Sequence, residues 1–248
     1  MPRISPLASG GTALLTVCAF GLLSQSAEAA RLLMEGPGIA LEIESGFMAG
    51  TLDDDVQTFS NEDLAFMQQQ LVDDGIDTAG HISMLLAETG NGIAFINLFD
   101  GSVSPFSGGA NDSILGFNSL IGGDAQHHWN TDSGGSMSWH DFGLTQMADG
   151  TFGWQTGVTS EGFAWSNLQE GEAGTVSFVD LGLDKLMPDM MFQYITFNGM
   201  SWEVAAYDDF ADGSSQYNIS FYATDIPAPA VVSLLALGGM RRRRRRRR

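Results

Sequence analysis

The sequence predicts an all-β protein, a β-sandwich or jelly-roll-like fold with one early α-helix, and three observations lead to it. Apolar or alternating segments of five to eight residues recur between glycine-rich turns in a 248-residue chain with 31 glycines and only 7 prolines. Two of those turns carry Asn-Gly, at Asn91-Gly92 and Asn198-Gly199, each flanked by strand-like runs. Only one stretch has helical spacing. Short strands with turns at regular intervals fit two packed sheets. With 44% hydrophobic and 10% aromatic residues, the chain has material for a full core, which argues against disorder.

The segment GIALEIESGF (38–47) alternates through Ile39, Leu41 and Ile43, so a strand with one buried face is expected. The helix follows: Ser60 precedes Asp63 by three positions, acidic side chains favour the first turn, and Gly75 can end it. Leu64, Met67 and Leu71 then share one face. HISMLLAE (81–88) and GIAFINLF (92–99) form a hairpin whose strands are apolar on both faces, which suits the middle of a sheet. GSVSPFSGGANDS (101–113) reads as a long loop. Further strands are expected at TVSFVDL (175–181), in the hairpin MFQYITF (191–197) with SWEVAAY (201–207), and at YNISFYA (217–223). Each hairpin is followed by Asp-Gly, at Asp100-Gly101 and Asp212-Gly213, a loose hint of duplication.

Candidate chemistry in this domain is sparse. His81, His127, His128 and His140, near Asp124 and Asp141, could ligate a metal, yet their spacing matches no zinc pattern. His127-His128, beside Trp129 in a Gly/Asp/Ser-rich stretch, reads as an exposed loop. The clusters Asp53-Asp54-Asp55, Asp73-Asp74, and Asp208-Asp209 with Asp212 could hold calcium, but none has the alternating Asp-x-Asp-x-Asp-Gly order. No metal and no cofactor are expected. Gly-x-Ser-x-Gly and Ser-x-x-Lys are missing, and the lone cysteine, Cys18, lies near the amino terminus. A glycan hydrolase would need two carboxylates in one cleft, roughly 5–9.5 Å apart. Trp129, Trp139, Trp154, Trp165 and Trp202 could stack on sugars or fill the core.

The two ends carry the sharper signals. Residues 1–29 have the three parts of a secretory signal peptide: Arg3, an apolar run from Thr12 to Leu23, and small residues at Ala27 and Ala29. Cleavage is expected between Ala29 and Ala30, because the peptidase accepts only small side chains one and three positions before the cut. Lipidation at Cys18 is disfavoured by Val17 before it and by its place in mid-run. Residues 224–248 form the opposite signal: Pro227-Ala228-Pro229, an uncharged run over 230–240, and eight arginines over 241–248. The uncharged stretch from Ile226 to Met240 falls short of the ~20 residues of a full span, so Arg241, Arg242, Arg243 and their successors are expected to act as the membrane stop on the cytoplasmic side. Between the ends lies one acidic β-sandwich domain, 30–223. The formal charge is −19 with eight of the 11 basic residues in the terminal run. With the leader removed and the tail cut near Pro229, Arg31 and Lys185 face 29 acidic residues (30 less Glu28), hence −27. Such a domain is repelled by nucleic acid and by anionic lipid.

The carboxyl-terminal pattern resembles the PEP-CTERM sorting signal, the substrate of exosortase-type transpeptidases, over about the last 22 residues. Pro227 and Pro229 match, Leu234, Leu235, Leu237, Gly238 and Gly239 fall in the apolar run, and Ala228 stands where the family has glutamate. The resemblance implies a signal peptidase and an exosortase-like enzyme as partners during export. It also implies transient inner-membrane association, then a place at the cell surface or outside, with exopolysaccharide as the external partner. The expected role is a non-enzymatic surface or matrix component. The alternatives are a carbohydrate- or calcium-binding adhesion module and a secreted glycan hydrolase.

Overall fold

The alternation of Tyr217, Ile219, Phe221 and Ala223 with exposed Asn218, Ser220 and Tyr222 sets the pattern on which this structure is built. In an extended chain successive side chains point to opposite faces, so four inward residues in nine bury one side of a strand and leave the other in water. The structure, a computed structural model, describes residues 29–48, 52, 60–90, 92–100, 113–130, 135–154, 160–181, 191–210 and 214–226. In chain order these form β1 (Arg31–Glu35), β2 (Ala40–Glu44), β3 (Gly46–Phe47), α1 (Asn61–Asp73), β4 (His81–Thr89), β5 (Gly92–Asp100), β6 (Ser113–Gly122) and β7 (Gln126–Asn130). They continue as β8 (Ser136–Asp141), β9 (Thr145–Trp154), β10 (Ser160–Ser166), β11 (Ala173–Asp180), β12 (Phe192–Phe197), β13 (Trp202–Asp208) and β14 (Gln216–Thr224).

The strands make two sheets. Sheet A has the order β2-β1-β14-β11-β6-β9-β8, and sheet B the order β13-β12-β4-β5-β10-β7 with β3 pairing beside β4. Neighbours are antiparallel except β12 with β4 and β3 with β4. The protein is an all-β sandwich with a single helix among its described residues, as the sequence predicts. Phenylalanines from both sheets meet between them: Phe99 on Phe152 at 4.2 Å, Phe117 on Phe163 at 4.7 Å, and Phe95 on Phe221 at 4.9 Å between ring centres. Each such pair adds about 0.5–1.5 kcal/mol beyond simple burial.

The expected helix is present. Ser60 caps it, its hydroxyl accepting from the Asp63 amide at 3.1 Å while Asp63 accepts from the Ser60 amide at 2.9 Å. Gly75, at φ 87°, turns the chain out of it. Leu64, Met67 and Leu71 are buried on sheet B's outer face against Leu85, Ala94, Ile96 and Leu98. That explains why β4 and β5 are apolar on both sides: one face meets sheet A and the other meets α1.

Both predicted hairpins form, β4–β5 and β12–β13, and they lie side by side in sheet B. Gly199, at φ 87°, makes the second turn, with the Asn198 carboxamide oxygen accepting the Met200 and Ser201 amides at 3.0 Å. Of the segment 101–113, only Ser113 is described, and it starts β6. Among the described residues no helix is long and apolar enough to cross a membrane.

One polar relay also ties the sheets together. Tyr217 of β14 donates to the Asp208 carboxylate at the end of β13, and its hydroxyl lies 2.8 Å from that of Tyr194 in β12. With the Tyr217 proton committed to Asp208, Tyr194 donates to Tyr217. Burial holds both phenols above their ordinary range, helped by Asp208 at Tyr194 and by Tyr194 and Asp208 at Tyr217, so they stay protonated. Tyr217→Phe leaves Asp208 and Tyr194 without their shared partner and is expected to destabilise the fold by about 2 kcal/mol. Tyr194→Phe removes only the terminal donor and is expected to lower stability by about 1 kcal/mol. Urea denaturation of the two variants checks this, and equal losses would show that the relay is not directional.

Candidate functional site

Position along a strand decides which polar groups can converge. In sheet B, Phe95, Phe99, Phe163 and Trp165 face the sandwich interior, while Ala94, Ile96, Leu98 and Ala164 face the helix. Asp100 therefore points to the helix side, where Thr78 donates to it at 2.7 Å. Glu161, paired in register with Phe99, points to the interior and accepts the Gly153 amide at 2.8 Å. Both are buried, at 4% and 0% exposure. Lying on opposite faces of one sheet, these two carboxylates cannot act on one glycosidic bond.

The histidines depart from expectation. His127 and His128 do not sit in an exposed loop: they belong to β7 and are buried, at 4% and 2% exposure. The reason is that β7 closes sheet B on both faces. His128 points to the helix side, where its Nε2 lies 2.7 Å from the Ser166 hydroxyl, and Asn130 on the same side donates to Asn61 of α1 at 2.8 Å. Ser166, at 0% exposure, offers no hydroxyl to an external substrate. The pair pins the outer strands of sheet B to one another.

His127 points inward, into a nest of indoles. Its ring stacks on Trp139 of β8 at 3.8 Å and on Trp129 at 5.1 Å, with Trp165 edge-on at 6.5 Å. Its Nε2 is buried without a hydrogen-bond partner. Burial, and secondarily His128, lowers its pKa from 6.5 to about 4. The tryptophans serve the core in two ways. Trp165 is fully buried and donates to Ser119 at 2.8 Å, and Trp202 packs on Phe197 under the helix. Trp129 and Trp139 are half-buried and seal the gap between the two edge strands β7 and β8. The side chain of Trp154 lies outside the described residues.

The other candidates are accounted for individually. His140 is exposed and lies 3.2 Å from Asp149. Asp73 accepts from Gln69 at 2.7 Å, and Asp74 accepts the Trp202 amide at 2.8 Å, fastening the helix end to β13. Asp208 belongs to the tyrosine relay, and Asp209 accepts the Phe210 amide at 2.7 Å. No group of three or more potential metal ligands occurs among the described residues. Asp53-Asp54-Asp55 and Asp212 lie outside them. So do Ala27, Pro227, Ala228, Pro229, Arg241, Arg242 and Arg243. Ala29 and Ala30 are the first two described residues of the chain, and the Ala30 carbonyl accepts the Ser45 amide at 2.8 Å.

Sequence reasoning missed Glu161 and the tyrosine relay, since each is assembled from strands far apart in the chain. It also missed that, among the described residues, no helix covers the outer face of sheet A, where Leu33, Leu120, Asn218 and Tyr222 are exposed. No protein family, curated protein or solved structure matches the chain.

The His127 stack has a pH signature. The folded ring stays neutral down to about pH 4, whereas the unfolded ring takes up a proton near 6.5. Between these values the unfolded state binds more protons, so stability falls as pH drops through this window, by up to roughly 3 kcal/mol at the acid end. His127→Phe keeps an aromatic ring in the stack and removes the titration. Its loss of stability between pH 7 and pH 4, measured by urea denaturation, is expected to be smaller than the parent's by about that amount. Superimposable acid limbs would contradict the buried neutral ring.

Proposed function

We propose that this chain is an exported, non-enzymatic surface or matrix protein whose acidic β-sandwich is carried outside between two removable signals. The observation that supports it best is how its reactive side chains are used. The buried carboxylates Asp100 and Glu161 sit on opposite faces of a sheet, and the Ser166–His128 pair is closed to solvent. Each holds strands together where an enzyme would present it to a substrate. Burial of Trp165 and Trp202 agrees with this reading, because a sugar-binding cleft lined by these indoles would leave their faces open.

The sorting route rests on the resemblance of the tail to PEP-CTERM signals. Signal peptidase cuts between Ala29 and Ala30. The run over 230–240, with Arg241 and its successors, then holds the chain at the inner membrane until an exosortase-like enzyme acts near Pro227-Ala228-Pro229. Arginine costs about 2.5–3.5 kcal/mol at the centre of an inserted helix, so eight together resist translocation.

Mass spectrometry of the native mature protein is expected to find an amino terminus at Ala30 and a carboxyl terminus near Pro229. A lipidated Cys18 or an intact leader would overturn the route. Replacing Arg241 to Arg248 by serine is expected to release unprocessed chain into the periplasm, whereas changing Pro227 and Pro229 leaves it membrane-held and uncut. Normal retention and processing of the serine variant would remove the arginines from the mechanism.

A further inference from the structure

The two lateral sides of the sandwich are finished differently. A strand at the rim of a sheet turns half of its amides and carbonyls outward, where another chain can pair with them. On one side the rims are β2 and β13. The Ser45 amide bonds across to Ala30 and the Asn198 amide to Ser201, so by alternation the Glu44 and Trp202 amides point outward. Both are taken up: Thr196 Oγ1 accepts the first and the Asp74 carboxylate the second, each at 2.8 Å. These strands also carry Glu42, Glu44, Glu203 and Asp208, charges that keep other strands away.

On the other side the rims are β7 and β8. The Phe142 amide donates to the Thr145 carbonyl at 2.9 Å. By the same alternation Ser138 and His140 bond across to β9, while Met137, Trp139 and Asp141 turn their backbone groups outward. Among the described residues nothing pairs with those outward groups. β7 has no carboxylate, and the only one on β8 is Asp141 at its last position, which accepts the Gly143 amide at 2.7 Å. Met137, Trp129 and Trp139 face inward yet are only partly buried at this rim, whereas Trp165, one strand further in, is fully buried.

We infer that β8 pairs antiparallel with β8 of a second copy, joining the two A sheets edge to edge about a two-fold axis at Ser138. In that register Met137 and Trp139 exchange backbone hydrogen bonds with Trp139 and Met137 of the second copy. Inward positions meet inward ones, Ser138 faces its own counterpart and Ser136 faces His140, so no carboxylate stands opposite another. β2 paired with itself in the corresponding way sets Glu42 against Glu42 or Glu44, which like-charge repulsion disfavours. Because only one side of the sandwich offers an open rim among the described residues, the contact is self-complementary and closes at two copies. Pairing of this kind needs no signal at either end of the chain, and so stands apart from the sorting route.

The six residues of β8 span about 20 Å, and packed sheets lie about 10 Å apart. The contact therefore falls below the ~800 Å² per partner of a standard interface. Self-association is accordingly weak and reversible, with a dissociation constant expected above ~1 μM. The chain's net charge of −19 opposes any pairing of copies, and salt screens that repulsion. Added salt thus strengthens this dimer, whereas it weakens one held by ion pairs.

The test is sedimentation velocity of the full-length chain over a range of concentrations at low and high salt. A concentration-dependent dimer that strengthens with salt is expected. Ser138→Asp sets two carboxylates together at the axis and is expected to weaken it at least ten-fold, while Glu203→Gln on β13 leaves it unchanged. Circular dichroism confirms that each variant is folded. A second variant serves where the aspartate one does not fold: Ser138 faces its counterpart at a pair whose Cα atoms lie about 4.5 Å apart, within reach of a disulfide. Cys18 is the lone cysteine of the chain, so oxidation of Ser138→Cys in a Cys18→Ser background is expected to yield a covalent dimer. Glu203→Cys in the same background is expected to stay monomeric. A monomer at every concentration, a dimer that the Ser138 variants neither weaken nor cross-link, or assemblies that grow beyond two copies would overturn the inference.

Discussion

The packing of phenylalanine between the two sheets is the constraint on which the rest of the structure depends. Phe99 contacts Phe117, Phe152 and Phe178, and Phe117 in turn contacts Phe163. Rings from β5 and β10 on one side and β6, β9 and β11 on the other thus form one continuous cluster. Without a disulfide in the described domain, this cluster must supply what cross-links supply in smaller exported folds. Its demands explain the sequence on either side: inward positions are mostly large and apolar, and most polar groups that enter arrive paired, the His127 Nε2 and the Asn97 carboxamide excepted. Trp165 brings Ser119, and Tyr194 brings Tyr217 and Asp208.

The same constraint makes the sheets unequal. Sheet B carries a second apolar layer because α1 covers it, so Leu85, Ala94, Ile96 and Leu98 are buried on the face away from sheet A. Among the described residues no helix covers sheet A, and β14 and β11 alternate buried and more exposed positions. The outer face of sheet A is mixed: Arg31, Glu35, Glu42 and Glu44 stand on β1 and β2, and Asn118, Ser177 and Asn218 on the strands beside them. Asn97 marks the limit of the pairing rule: it is buried between the sheets with neither carboxamide atom bonded. Such a group lowers stability, and nothing else in the structure explains why it stands there.

How much of this was legible in the sequence depended on whether a signal was local. The cap at Ser60, the Asn198-Gly199 turn and the alternation along Tyr217, Ile219 and Phe221 are each written within a few residues, and each formed as read. The strands β6 to β10 were largely opaque, because glycine, serine and asparagine interrupt their apolar pattern and read as loop. His127-His128-Trp129 shows why. Flanked by glycine and aspartate it has the composition of a turn, yet β10 and Trp139 recruit it into an edge strand. The polar rows of sheet A lay further out of reach, since Asn218, Ser177, Asn118, Asp149 and Ser138 become neighbours only through register. Pairing of that kind leaves no mark on a single sequence.

The position of β14 has a consequence for how the chain assembles. This last strand does not sit at an edge: it lies between β1, the first strand, and β11, and it carries Tyr217, Ile219, Phe221 and Ala223 into the core. Until it has been synthesised, β1 and β2 have nothing to bind on that side, and sheet A stays split in two. Contacts between the two ends of a sequence are also the slowest to form, because the intervening loop must close first. Closure of sheet A thus waits for the segment that carries β14. Under the export route proposed above, a chain that threads a membrane pore in extended form gains from that order, because sheet A cannot close before β14 arrives.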